Sequence, residues 1–482
     1  IQARLDRLDA DERDLLRAAA VLGRVFRRSD LVNLIEPTDA PAEAARVDSV
    51  LSELERRGIL FALPPDATAD DRYALKHALT RDVAYGELGP AARRLLHERA
   101  ARALSAQLSS TSPGVERLVE LARHLEGAAE LPAAAATYRR AAEVADEQSA
   151  VADAYRCYAR AANLLGDAAG VDLLVALGEA AIKAGAYEPG ESALDRAIAR
   201  TSREPAAGAQ AARALHARAQ AYRLRGRWQE ALETAARGLS AIDARNEPVL
   251  AARLFGLRGW VLGYILGDNA SGLPETLRAV ARLEAGDSPA DLSAAYSQLG
   301  GNYMRAGRWG DQLRCNRKVL ELGHRLGSIE IIARSHLNLG VNLLSLGELD
   351  ESMSHTREAY DLYERMCATA MTALARNNLG GVLLELGRLE EADRELNEAI
   401  RLSDRCGGCY FRPEAELQLA RLAALRADLG GARRLAEQAL GSAIASGGKI
   451  DEGVARKVWG AILSMAGEHD AALRELDAAE AL

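Results

Sequence analysis

At 482 residues the chain is longer than one compact core supports, so it is either several domains or an array of repeats. Hydrophobic residues make up 49% but aromatics only 4%, which leaves alanine and leucine to pack helix closely against helix. A net charge of −8 over this length gives no reason to expect nucleic acid or an anionic membrane as partner. Five cysteines, odd in number and widely spaced, do not make a disulfide framework and point to a reducing cytoplasm.

No apolar run reaches the roughly 18 residues of a membrane span, and no leader peptide is recognisable. The chain starts at Ile1 in mid-pattern and stops at "LDAAEAL", and it reads as part of something longer.

Residues 1–108 follow no period. "LDADERDLLRAAAVLG" predicts a helix with an acidic first turn, "SDLVNLI" a second opening at Ser29, and "AEAARVDSVLSELERRG" a third closed by Gly58. Residues 59–63 and 72–76 predict two short strands joined by a Pro-Pro-Asp loop. A helix from about His77 and another after Pro90 follow. Three helices and a two-stranded wing make a winged-helix domain. DNA binding is one association of that fold, but residues 1–103 hold 17 basic and 18 acidic side chains. The third helix carries Arg46, Asp48, Glu53, Glu55, Arg56 and Arg57, mixed in sign where a phosphate-tracking face needs a basic excess.

Residues 109–115, "SSTSPGV", predict a linker, and residues 116–482 an array of about nine units with a period of ~40 residues. "LGGNYMRAGRW" (299–309), "LGVNLLSLGEL" (339–349) and "LGGVLLELGRL" (379–389) are successive copies. Gly300, Gly340, Gly380 and Gly460 keep register, with Ala420 between the last two. Backwards, the register meets Gly259 one residue off, then Ala219, Gly178 and Ala122. Small–large–small triplets fall in the second helix of each copy: Ala392/Leu396/Ala399, Ala432/Ala436/Ala439 and Ala472/Leu476/Ala479. Small residues three and four apart let neighbouring helices approach, and the larger one fills the gap. Gly226, Gly307, Gly347, Gly387 and Gly467 sit where the first helix must end left-handed. Ala134/Tyr138/Ala141 and Ala154/Tyr158/Ala161, only 20 apart, predict a compressed or three-helix start, and "GDNASGLP" (267–274) a surface loop.

With "YSQLGGNY" matching its first-helix pattern, the unit resembles the tetratricopeptide repeat. The expected fold class is all-α: a tetratricopeptide-like solenoid preceded by a small winged-helix domain. "Lys–His–Ala–Leu…Val–Ala–Tyr" at 76–85 and "RRLLHERAARAL" ahead of such an array extend the resemblance to the middle and C-terminal parts of STAND-class signalling ATPases. In that class a Met-His-Asp motif occupies the strand–helix corner, and its histidine contacts the β-phosphate of bound ADP. Here the triplet is Lys76–His77–Ala78, so the implied role rests on His77, with a cap of its own helix or a packed seam residue as the alternative. The resemblance implies ATP or ADP on a domain outside this chain, since no G-x-x-x-x-G-K-[ST] occurs within it. It also implies that the repeats sense a protein, peptide or small-molecule signal.

Gln298, Asn302, Asn338, Asn342, Asn377 and Asn378 fall at positions that face the inner groove in that family. Amides donate and accept and suit a peptide backbone; repair of helix ends and turns between repeats is the competing reading. Tyr296, Tyr303 and Met304 would add apolar contacts or simply be core. Cys406 and Cys409 form a C-x-x-C with no second pair and no nearby histidine, so they read as a turn rather than a zinc or redox site. Cys157, Cys315 and Cys367 read as packing residues on helices, and His97 and His124 as seam residues. No nucleophile or paired-carboxylate constellation stands out, so catalysis is not expected of these residues, nor is a metal. The rivals are an assembly scaffold and a regulator whose winged helix touches DNA.

Overall fold

The computed structural model describes the chain apart from residues 1–4, 6, 36–40, 65–69, 109–112, 149, 202–207, 406–411, 447–448 and 482, and apart from the side chains of 41–43, 445–446 and 449–451. Two compact units follow one another, Ile1–Arg225 and Gly226–Leu482.

The first unit opens with helix α1 (Ala10–Leu22). Its start is set by a capping box: the Asp9 carboxylate accepts from Glu12 N at 2.8 Å, and Asp9 N donates to Glu12 Oε2 at 2.9 Å. Strand β1 (Val25–Arg27), helices α2 (Arg28–Ile35) and α3 (Pro41–Arg56), and strands β2 (Leu60–Leu63) and β3 (Arg72–Leu75) come next. Gly58 leaves α3 with φ +66°, a left-handed turn that only glycine adopts without strain.

The two-stranded wing is corrected to a three-stranded antiparallel sheet in the order β1-β3-β2. β2 and β3 pair as expected, Leu60 opposite Leu75 and Leu63 opposite Arg72, while β1 adds Phe26 opposite Tyr73. Three residues flanked by arginines carry no alternation long enough to read as a strand, and the pairing of β1 is with a segment more than forty residues away. Phe26 stacks on Tyr73, ring centroids 6.1 Å apart, over a core of Leu16, Leu31, Leu34, Leu51, Leu54, Leu60 and Leu75.

Helices α4 (Ala78–Gly86) and α5 (Pro90–Leu108) close this layer, the latter opening on Pro90. Then α6 (Val115–Gly127), α7 (Leu131–Glu147), α8 (Val151–Leu165), α9 (Val171–Lys183), α10 (Tyr187–Thr201) and α11 (Gly208–Leu224) pack in succession. Both early triplets are buried, on the consecutive helices α7 and α8.

The second unit runs α12 (Trp228–Ser240), α13 (Pro248–Trp260), α14 (Asn269–Glu284), α15 (Pro289–Arg305), α16 (Trp309–Leu326), α17 (Ile329–Leu346), α18 (Leu349–Arg365) and α19 (Thr369–Glu385). It ends with α20 (Leu389–Arg405), α21 (Arg412–Leu425), α22 (Leu429–Ser446), α23 (Lys449–Met465) and α24 (His469–Glu480).

The glycine register has a steric cause. A Cβ on Gly380 would lie 2.6 Å from Leu396 Cγ, on Gly340 2.3 Å from Thr356 Oγ1, and on Gly460 3.1 Å from Leu476 Cγ. The same relation holds in the first unit, where a Cβ on Gly178 would lie 2.5 Å from Leu194 Cγ. In these four pairs the first helix gives up its side chain to a larger residue on the next helix, while a Cβ on Gly300 would meet Cys315 Cβ at 3.3 Å. Gly226, Gly307, Gly347, Gly387 and Gly467 have φ between +68° and +80°. Ala427 fills the missing slot at φ +61°.

Three expectations change. Residues 267–274 are not a loop. Asp268 accepts from Ser271 N at 3.1 Å, so α14 begins at once, and a π-helical turn, Val261–Ile265, absorbs the misfit before it. Gly263 and Gly272 let the two backbones meet, since a Cβ on Gly272 would come within 2.4 Å of Gly263 N. Cys367 lies not on a helix but in the α18–α19 turn, exposed, at φ +53°, whereas Cys157 and Cys315 are buried as expected. Leu476 lies over Gly460 yet stays 41% exposed, unlike its counterpart Leu396. Cys406 and Cys409 lie outside the described residues.

Candidate functional site

The strand–helix corner follows from β3 running straight into α4. His77 is the N-cap of α4, with extended backbone (φ −129°, ψ 135°). Its carbonyl accepts from Thr80 N at 3.0 Å, and its imidazole makes no capping bond. Lys76, His77, Ala78 and Leu79 are all exposed, Leu79 by 63%, while Leu75 and Thr80 on either side are buried. The ring is therefore neither capping its own helix nor sealed in a seam.

The charges of α3 are paired within the first unit, mostly at its surface. Asp48 holds Arg28 at 2.7 Å, Arg46 reaches Asp11 at 2.8 Å, and Glu53 takes both Arg56 and Arg57. Arg57 also reaches buried Glu12 at 3.1 Å.

The six amides divide. Asn302, Asn342 and Asn377 are fully buried, which takes them out of any open groove. Asn302 Nδ2 donates to Gly259 O at 3.0 Å and to Thr276 Oγ1 at 3.2 Å. Asn342 Nδ2 donates to Gln312 Oε1 at 2.9 Å and to Trp309 O at 3.3 Å. These bonds tie one hairpin to the previous one, giving buried acceptors such as Thr276 Oγ1 and Gln312 Oε1 a donor. Gln298 and Asn378 are half-buried and Asn338 is exposed, so these three keep side-chain surface for a ligand.

A buried polar node emerges where α4, α5 and α6 meet. His97 Nδ1 and His124 Nδ1 are 3.0 Å apart, one necessarily donating and the other accepting, and the Tyr85 hydroxyl sits 3.0 Å from His97 Nε2. The guanidinium groups of Arg81 and Arg93 each lie 4.7 Å from the Tyr85 ring centre. Burial, with the positive charge of Arg81 and Arg123 added, pushes His97 below the usual imidazole value. Burial first, then His97, Arg123 and Arg117, pushes His124 down to about 3. His336 and His355 repeat the arrangement in the second unit, Nδ1 to Nδ1 at 2.8 Å. Ligand-spacing rules pass over both pairs. The one sequence signal for the first is Gly127, where a Cβ would strike the His97 ring at 2.5 Å.

Among the described residues no helix is long and apolar enough to cross a membrane. Residues 373–406 match the tetratricopeptide repeat family, and no curated protein matches the chain. The fold is similar to a Signal Transduction ATPase with Numerous Domains (STAND) protein with a tetratricopeptide repeat sensor from Pyrococcus horikoshii: TM-score 0.56 at 13% identity, over 90% of this chain and 63% of that one. The chain thus spans less than two thirds of that protein's length. A Rap protein solved in complex with Competence and Sporulation Factor gives a TM-score of 0.52 at 13% identity, over 72% of this chain and 97% of the other. The apo quorum sensor NprR from B. thuringiensis gives 0.52 at 12%, over 72% and 96%. At such identities the likeness is one of fold, and the fold is a tetratricopeptide-type helical array.

Proposed function

We propose that this chain is the sensor and relay part of a STAND-type signalling ATPase. The repeats from about residue 116 bind a protein or peptide signal. Residues 1–108 form a winged helix that passes occupancy to a nucleotide-binding domain outside the chain. The observation that carries this reading is the likeness of fold, over 90% of the chain, to a STAND protein with a tetratricopeptide sensor. Two features support it. The order α1, β1, α2, α3, β2, β3 with β3 central is that of a winged helix. His77 stands exposed at the corner where that class places its phosphate-contacting histidine. The array's likeness to the Rap and NprR folds supports a signal-binding role for the half-buried and exposed amides Gln298, Asn338 and Asn378.

A hydrogen bond from an imidazole to a phosphate contributes roughly 1.5–3 kcal/mol. Moving a two-state equilibrium from 1:99 to 99:1 takes about 5.5 kcal/mol. His77 would bias the switch, and signal bound to the repeats would complete it.

The test is His77→Ala in the protein that joins this chain to its nucleotide-binding domain. ADP dissociation is expected to quicken about tenfold or more. Unchanged dissociation would confine His77 to a structural place, and the absence of any nucleotide-binding domain beside this chain would favour a scaffold.

A further inference from the structure

Between β1, β3 and helix α6, within the first unit, lies an open cleft of about 730 Å³. Six arginines line it against three carboxylates, in a chain whose net charge is −8. Arg117 is occupied: it reaches Glu120 at 2.7 Å, Asp30 at 3.5 Å and the Gln107 side chain at 2.7 Å. That leaves Glu116 to face the guanidinium groups of Arg24, Arg72 and Arg123, beside Arg27 and beside Arg81, which also reaches Asp82 at 3.1 Å. Arg24, Arg72 and Arg123 have no carboxylate partner among the described residues.

Arg27 and Arg72 are direct partners across the β1–β3 ladder, so both side chains leave the same face of the sheet. Like charges placed opposite in this way destabilise a strand pair. Arg81 is held in place by its Nε, which donates to Ala20 O at 3.1 Å. The result is a concave surface whose positive groups repel one another and are fixed from different elements. A guanidinium fork matches phosphate oxygens in shape as well as charge, and the volume falls in the range of small-molecule sites.

We propose that this cleft binds a small polyanion carrying two or more phosphate groups, held by Arg24, Arg27, Arg72, Arg81 and Arg123. His77 is not among its lining residues, so the site stands apart from the nucleotide contact suggested above. The carboxylates on the α6 wall and the limited volume favour a compact ligand over an extended duplex backbone.

The full 482-residue chain is titrated calorimetrically with inorganic pyrophosphate and tripolyphosphate at low salt, with duplex DNA and a hexaglutamate peptide as competitors. Saturable binding is expected, tighter for tripolyphosphate. The double variant Arg24→Glu/Arg123→Glu alters only exposed side chains, and unchanged circular dichroism will confirm folding; it is expected to weaken binding by about tenfold or more. Arg139→Glu on α7, which does not line the cleft, should leave binding unchanged. No saturable binding, equal weakening by Arg139→Glu, or tighter binding of duplex or hexaglutamate than of tripolyphosphate would overturn the assignment.

Discussion

Asn302 and Asn342 occupy the same place in successive repeats, and each bridges back to the preceding hairpin through two hydrogen bonds. Truncating either leaves a buried acceptor, Gly259 O and Thr276 Oγ1 or Gln312 Oε1, without this donor. Asn302→Ala and Asn342→Ala are therefore expected to lower stability by about 1–3 kcal/mol in urea unfolding. A residue that served only a ligand groove would lose binding with stability intact. The His97–His124 contact makes a second prediction. Burial pushes both imidazoles below their ordinary value in the fold, while the unfolded chain titrates near 6.5. Above that pH neither state takes up extra protons. Below it the unfolded chain does so first, and stability falls by up to about 1.4 kcal/mol per pH unit for one such site, until the folded value of about 3 for His124 is approached. Unfolding followed by far-ultraviolet circular dichroism from pH 8 down to 5 should show this loss, to which the lowered His336 and His355 of the second unit add, and His124→Gln should reduce the slope. A slope unchanged by that substitution would place the titration elsewhere.

At the scale of helices, two glycines make opposite predictions. A Cβ on Gly380 would meet Leu396, which is fully buried and has nowhere to move. Overpacking of about 1–3 kcal/mol then outweighs the helix propensity of roughly 1 kcal/mol that alanine gains. Gly441, inside α22, has nothing within 4 Å. Gly441→Ala should raise the midpoint of thermal unfolding and Gly380→Ala lower it. The turn slots extend the logic. Ala427 holds a left-handed conformation that its neighbours in register give to glycine, and Ala427→Gly is expected to add up to about 1 kcal/mol. The period, the triplets and the turn glycines were readable because each is a local demand repeated many times. The strand β1 was not, because three residues acquire a ladder only when β3 arrives beside them. The helix at 269–284 was misread because Gly, Asn, Ser and Pro together resemble a turn. The Asp268 cap stands within that pattern, but the Gly263 that lets the two backbones meet lies outside it.

The whole chain offers a clean separation of signals. All four tryptophans, at 228, 260, 309 and 459, belong to the second unit. Arrays of this kind unfold as sums of neighbouring units rather than all at once. Tryptophan fluorescence should therefore report on Gly226–Leu482 alone, and its urea transition should not coincide with that of circular dichroism. Superposed transitions would show that the two units unfold together. The sequence by itself determined the helical array, its register and the place of its close contacts, because periodic packing writes the same steric requirement into every copy. Only the tertiary structure decided which amides are buried ties, which histidines touch, and that arginines from β1, β3, α4 and α6 share one cleft. Those outcomes depend on side chains tens of residues apart being brought within a few ångströms, and no local pattern encodes that distance.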